Sequence, residues 1–329
     1  MSEHDAAPDA VAPRGLVTIG ESLALFAAPT VGRLAHQSHL ELRMGGAESN
    51  VAIAVSRLGG AATWIGRVGD DPLGEFVVAT IRGEGVRVHA PLDSASTSVM
   101  IRERRNSWTS RVTYYRENGP GAHLRPADIP EACVRNAAIV HLTGITAALS
   151  ASSLATVHSV IDIADEAGVK VSFDVNYRRA LWSPDRAAPA LTAIARRCSI
   201  LFAGTDEVHL LGYPDAHTND LCTTARALAA LGPAEIVIKA GELGAASWDG
   251  ADALFSPAMP VVSIDPVGAG DAFAGGYLAE LLTGAGLAGR LTTATRCGAL
   301  VVAAAGDWEA APTRADLRLL EKAPGLIQR

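Results

Sequence analysis

Short apolar, β-branched runs recur along this chain at intervals filled by helical patterns, and that alternation constrains the fold more than any other feature. The runs are Leu16–Ile19, Ala62–Gly66, Ala138–Leu142, Val169–Val175, Ser199–Ala203 and Glu235–Lys239. Between them, Val51, Ala54, Val55 and Leu58 fall at i, i+3, i+4 and i+7, and Gly59-Gly60 stops that helix. Leu154, Val157, Ile161 and Ala164 repeat the pattern, entered through Ser150–Ser153 and closed by Gly168. Ser183-Pro184 offers an N-cap followed by proline at the first helical position. Strands buried on both faces, joined through helices, make a mostly parallel sheet covered on both sides. The expected fold is therefore an α/β/α sandwich, one large domain over residues 15–329, after a tail over residues 1–14 expected to be disordered.

Two segments interrupt the alternation, about 23–44 and 96–121. In the second, Val112, Tyr114 and Arg116 share one face of a strand, and Arg111, Thr113 and Tyr115 share the other. Polar alternating strands do not suit a parallel core, so a small side sheet acting as a lid is expected there. Exposed edges of such a sheet pair readily, which predicts a homo-oligomer formed through the lid.

Composition excludes several classes of function. Hydrophobic residues make up 49% of the 329 and charged residues 19%, enough for a large core. A net charge of −7 argues against nucleic acid or an anionic membrane as the main partner. Cys133, Cys198, Cys222 and Cys297 form no CxxC pair, which suits buried thiols in a reducing cytoplasm better than disulfides or zinc. No apolar leader opens the chain, and the charge-free stretch Ala137–Ile161 carries two histidines, a glycine and seven Ser or Thr. It reads as strand, turn and helix, and no membrane span is expected.

The segment Asp265-Pro266-Val267-Gly268-Ala269-Gly270-Asp271-Ala272-Phe273 carries the strongest chemical signal. A β-branched run, Val261–Ile264, feeds a glycine turn and then a helix from about Asp271 to Leu282. Glycines at a helix N-terminus let backbone N–H groups converge on an anion. A carboxylate there would repel an anion, but it serves chemistry if it takes a proton from a hydroxyl attacking a phosphoryl group held by those N–H groups. Phe273 at the sixth position excludes the dinucleotide fingerprint, and no Walker sequence occurs. Alone, the turn reads equally well as a plain helix cap, with Asp271 as N-cap.

With Gly45-Gly46-Ala47-Glu48-Ser49-Asn50-Val51-Ala52 upstream, the chain resembles the ribokinase-like (pfkB) carbohydrate kinases across nearly its whole length. Three further stretches are similar to the 2-keto-3-deoxygluconate kinases of that family: Tyr114-Tyr115-Arg116, Leu142-Thr143-Gly144-Ile145-Thr146, and Asp174-Val175-Asn176-Tyr177-Arg178-Arg179-Ala180-Leu181-Trp182. The resemblance implies a magnesium-dependent ATP kinase, with a monovalent cation such as K+ as a further cofactor. Asp271 would be the catalytic base and Gly268, Ala269 and Gly270 the anion hole. The sugar acid would meet Gly46, Ala47, Asn50, Met100, Tyr114, Arg116, Ile145, Arg178 and Asp307. Asn176, Lys239, Gly241, Gly244 and Thr295 would bind nucleotide, and Glu207 would position magnesium. A helix N-cap is the rival reading of Asn50, and an ordinary strand-end turn that of Lys239–Gly244.

Two arginines make a charged substrate plausible on physical grounds, since a guanidinium fork matches a carboxylate and a neutral sugar offers it nothing. Asp174, Asn176 and Arg178 share parity at a strand end, where open α/β sheets place ligands. Three positions depart from the family pattern: Gly204 replaces the Asn or Ser of an N-x-x-E motif, Met100 stands where an aromatic is usual, and Thr295 where an Asn facing adenine is expected. A fructokinase-like enzyme, a kinase for the galacto epimer, or a non-catalytic sugar-binding scaffold are the alternatives.

Overall fold

Every residue of the strands Leu16–Ile19, Ile139–Thr143 and Ile200–Gly204 is buried, as strands covered on both faces must be. The computed structural model describes residues 14–106, 110–213 and 220–320. The expected tail 1–14 therefore lies, apart from Arg14, outside the described residues. A nine-stranded sheet runs in the order Ala253–Pro257, Gly244–Trp248, Glu235–Lys239, Ile200–Gly204, Lys170–Asp174, Ile139–Thr143, Leu16–Ile19, Ala62–Ile65 and Arg87–His89. All neighbours pair in parallel except the two pairings made by Gly244–Trp248, which form an antiparallel edge. The six runs read from sequence become six consecutive strands of the sheet; of the three additional strands, Ala253–Pro257 and Arg87–His89 are the edges and Gly244–Trp248 lies just inside the first.

Side chains alternate between two cores. Val140, Leu142, Phe173 and Leu201 pack under the helices Ala151–Ala167, Pro184–Ala195 and Leu221–Leu228. Leu16, Trp64, Ile139, Phe202 and Val237 face the other way, under Ala47–Arg57, Pro72–Gly83, Ala269–Leu282 and Leu287–Val302. The cap signals act locally as read: Ser150 and Ser153 form a reciprocal capping box, and Gly168 ends that helix with φ 67°.

Ala269–Leu282 is apolar all round because it is an inner helix. Gly275-Gly276 sits in its middle, where two glycines weaken a helix by about 2 kcal/mol relative to alanine. Packing explains them. A Cβ on Gly275 would stand 2.5 Å from Ala54 Cβ, and one on Gly276 2.8 Å from Cys297 Sγ. Only bare backbone lets this helix lie against both Ala47–Arg57 and Leu287–Val302.

A separate four-stranded sheet, ordered Glu41–Gly45, Leu23–Ala27, Val99–Arg104 and Ser110–Tyr115, is built from the two segments that broke the alternation. Leu23, Leu25, Ala27, Met100 and Val112 make its small core. The β-branched run Val261–Ile264 forms an exposed loop, Val262 being 81% accessible. One local reading is corrected: Asn50 is no N-cap, because Gly46 takes that position and Asn50 lies inside the helix Ala47–Arg57.

Candidate active site

The carboxyl ends of the parallel strands deliver Thr143, Asp174, Gly204 and Lys239 in a row, the edge at which open α/β sheets bind ligands. The turn Asp265–Gly268 leads onto that edge. Gly268 is the N-cap of Ala269–Leu282 with φ 76°, and a side chain there would collide with the carbonyl oxygen of Asp307. Asp271 thus falls in the first helical turn and is not the cap. Its Oδ2 accepts a 2.9 Å hydrogen bond from Asn50 Nδ2, and its Oδ1 a 3.5 Å one from Asn176 Nδ2. Burial lifts its carboxyl from 3.8 to about 6, against the pull of the Asn50 hydrogen bond and the Arg178 charge. A carboxylate so tuned is still ionised at neutral pH yet basic enough to accept a proton.

Asn176 reaches Asp271 through a left-handed backbone, φ 36°, immediately beyond the strand Lys170–Asp174. That turn breaks the parity expected of Asp174, Asn176 and Arg178. Asp174 is buried and pairs with Lys239 Nζ at 2.5 Å, whereas Arg178 is exposed and makes no ion pair among the described residues. Lys239 stays charged: burial opposes it, but Asp174 and Glu207 more than compensate. Its Nζ lies beside Gly270 in the turn.

At the sugar-acid side, Gly46 begins the helix Ala47–Arg57, and Met100 Cε and Asp307 Oδ2 both close on the backbone of the adjacent Gly45. Ile145 heads the short helix Gly144–Leu149, its N–H donating to Thr143 Oγ1. Arg116 lies just past the strand Ser110–Tyr115, its guanidinium 5.2 Å over the ring of Tyr114. Arg116 Nη2 stands 2.8 Å from Glu21 Oε2, but off the line of its N–H bonds, so the buried Nε and Nη2 keep unspent donors. Burial raises Glu21 against the charge of Arg116, and Ser98 donates to its Oε1.

A cavity of about 680 Å³ opens on the other side of the turn, lined by Lys239, Gly241, Gly244, Gly270, Phe273 and Thr295 among others. Thr295 faces this cavity but donates its hydroxyl to Leu291 O within its own helix. Glu207 accepts from Tyr177 N and Gly204 N at 2.7 and 2.6 Å, which leaves one lone pair on each oxygen. No cluster of three or more His, Cys, Asp or Glu suited to a metal ion occurs among the described residues.

Three polar residues at this edge escaped the sequence reading. Glu48 is fully buried and accepts from Thr143 Oγ1 and Thr146 Oγ1, each at 2.6 Å; burial pushes it to about 7, and its Oε2 has no partner. Arg102 contacts Asp265 and Asp307, and Glu21 contacts Arg116. A charge directly after a strand was the available signal for Glu21; Arg102 shared parity with Met100.

Residues 14–314 match the profile of the pfkB family carbohydrate kinases. A 2-dehydro-3-deoxygluconokinase of Thermoproteus tenax is 36% identical over 317 residues, covering 94% of either chain. A 2-dehydro-3-deoxygalactonokinase of Haloferax volcanii is 34% identical over 272 residues, 82% of this chain and 85% of its own. Among solved structures, a PfkB protein from Polaromonas sp. JS666 superposes with a TM-score of 0.83 at 31% identity, covering 93% of this chain and 99% of that one. No helix among the described residues is long and apolar enough to cross a membrane.

Proposed function

The chain belongs to the pfkB family of carbohydrate kinases, and from that premise we propose that it transfers the γ-phosphoryl group of ATP to the terminal hydroxyl of 2-keto-3-deoxygluconate. The observation that carries the reading is Asp271, a carboxylate lifted to about 6 at the head of a buried helix, between Asn50 and the glycine turn.

Asp271 would take the proton of the sugar hydroxyl as its oxygen attacks the γ-phosphorus. The bond to the β–γ bridging oxygen breaks, and ADP leaves with those electrons. N–H groups of Gly268, Ala269 and Gly270 would meet the charge on the equatorial oxygens, at a helix N-terminus that already favours an anion. Lys239, beside Gly270, would add a positive charge at the same oxygens. Gly241, Gly244 and Thr295 would hold the nucleotide in the 680 Å³ cavity, with Asn176 between nucleotide and base. Glu207 fits magnesium in one way: with both oxygens on backbone N–H groups it would hold the ion through bound water. Magnesium ions commonly keep several waters, and the ion supplies charge neutralisation at the phosphates. Asp265 and Asp307, which flank the turn, both hold Arg102, so no step is assigned to a monovalent cation.

Arg178, with no ion pair among the described residues, and Arg116, with unspent buried donors, would grip the carboxylate of the sugar acid, while Gly46, Ala47, Asn50, Met100, Tyr114 and Ile145 would enclose its carbon chain. The small sheet would act as a lid that excludes water, the competing acceptor. Its outer face supports a lid-mediated homo-oligomer: Leu42, Phe26, Ile101 and Thr113 align across all four strands, with Leu42 and the nearby Tyr115 exposed. A cytoplasmic setting suits four free thiols and an ATP-dependent reaction. The galacto epimer is the second reading, favoured by the Haloferax relative.

ADP release with magnesium-ATP should follow addition of either keto-deoxy acid and stay at background with fructose or ribose. Replacing Arg178 by Ala should raise KM for the acid about tenfold or more, the loss of one charge-assisted contact. Turnover confined to neutral sugars would retain phosphoryl transfer but remove the roles given to Arg116 and Arg178.

A further inference from the structure

We propose that Arg102 is a positioning residue that makes the phosphoryl-binding turn depend on the seating of the lid strand Val99–Arg104. The inference rests on the kinase reading for its meaning, but on contacts for its content. Arg102 is 7% exposed, and a single nitrogen, Nη1, lies 2.9 Å from Asp265 Oδ2 and 3.0 Å from Asp307 Oδ1.

Each aspartate also touches the turn, Asp265 through its carboxylate and Asp307 through its main-chain carbonyl. Asp265 Oδ1 accepts from Val267 N at 3.2 Å, which sets the bend just before Gly268. The carbonyl of Asp307 lies where a side chain on Gly268 would be, and its Oδ2 stands 2.5 Å from the place a Cβ on Gly45 would take. Asp307 is therefore the joint between the two glycine motifs, and Arg102 holds that joint to Asp265. Remove the cation and the buried Asp307 faces the partly buried Asp265 with no counter-charge, a repulsion that favours movement of the turn. Burial already lifts Asp307 to about 7 against the pull of Arg102.

Arg102 is poorly placed to bind substrate. Its Nη1 is shared by two carboxylates of the chain, whereas Arg116 keeps spare donors and Arg178 makes no ion pair among the described residues. Met100, two residues earlier on the same face of the same strand, closes on Gly45. One strand thus presents Met100 to the acceptor side and Arg102 to the anion hole, so that a displaced lid withdraws the brace from the turn.

The test uses Arg102→Gln, Arg102→Lys and Arg102→Ala, with thermal unfolding as a control for folding. Arg102→Gln should lower kcat about 10²-fold, the cost of a misplaced transition-state contact, with KM for magnesium-ATP and for the sugar acid within about threefold. In protein without substrates, amides of residues 265–270 should exchange with deuterium faster than in wild type. Arg102→Lys should keep the slow exchange and an intermediate kcat, and methylguanidinium should restore part of the turnover of Arg102→Ala. A raised sugar-acid KM with kcat preserved would make Arg102 a substrate ligand and overturn the proposal. Unchanged exchange in Arg102→Gln would overturn it too. Should wild type phosphorylate no sugar acid, the functional reading fails, and the exchange experiment still decides what Arg102 holds.

Discussion

Substituting Asp271 by Asn should make the protein more stable at alkaline pH while removing its turnover. The carboxyl is held at about 6 against 3.8 in an open chain, so the folded state disfavours its charge. The sign follows directly. Below about 4 the group is protonated in both folded and unfolded chains and contributes nothing; the penalty grows through the interval and is complete above about 6. At 1.36 kcal/mol per pK unit it amounts to about 3 kcal/mol at pH 8 and about half that at pH 5. Asparagine has no charge, and its amide oxygen can still accept from Asn50, so most of this should be recovered. With an unfolding entropy of about 2.1 cal/mol/K per residue over 329 residues, Tm should rise by about 4 °C at pH 8 and about 2 °C at pH 5. Differential scanning calorimetry at the two pH values, beside a coupled ADP assay, reads both effects. Turnover should fall by roughly 10²–10⁴-fold, the usual worth of a general base. A variant no more stable at pH 8, or stabilised equally at both pH values, would refute the assignment of a destabilising buried charge; near-normal turnover would refute its role as base.

In wild type, kcat/KM should drop about tenfold per pH unit below pH 6, as Asp271 takes up the proton it must accept from the sugar; a profile flat down to pH 5 would point to another base. Gly275→Ala should destabilise by about 1–3 kcal/mol, because its methyl meets Ala54 at 2.5 Å, and a chemical-denaturation midpoint equal to wild type would show that the helices can separate without strain.

The inner strands were legible because a parallel strand must be apolar on both faces, so a β-branched run carries its own structure. Val261–Ile264 is also β-branched yet forms an exposed loop beside the 680 Å³ cavity, since pairing is a tertiary event. Asp271, the proposed base, was legible as a candidate through its glycine turn, and its tuning was not. Burial sets that tuning, and the two amides that hold the carboxylate, Asn50 and Asn176, sit 221 and 95 residues away. Asn50 also shows how a local rule can mislead, because Gly46 took the cap and freed the amide to point at Asp271. Arg102 was invisible for a similar reason, as its nearer carboxylate partner lies 163 positions downstream at Asp265 and the other, Asp307, 205. Charge in a lid strand reads as solvated surface until the partner is known.

The contact between Asp307 and Gly268 also sets an order in time. Ribosomes deliver the glycine motif at residues 45–50 early, the proposed base Asp271 late, and the carbonyl that packs against the turn only after a further thirty-six positions. A nascent chain that has released Asp271 holds every strand of its central sheet and still lacks one wall of the proposed anion hole. Chains stalled or clipped before residue 307 would thus lack the carbonyl that packs against Gly268.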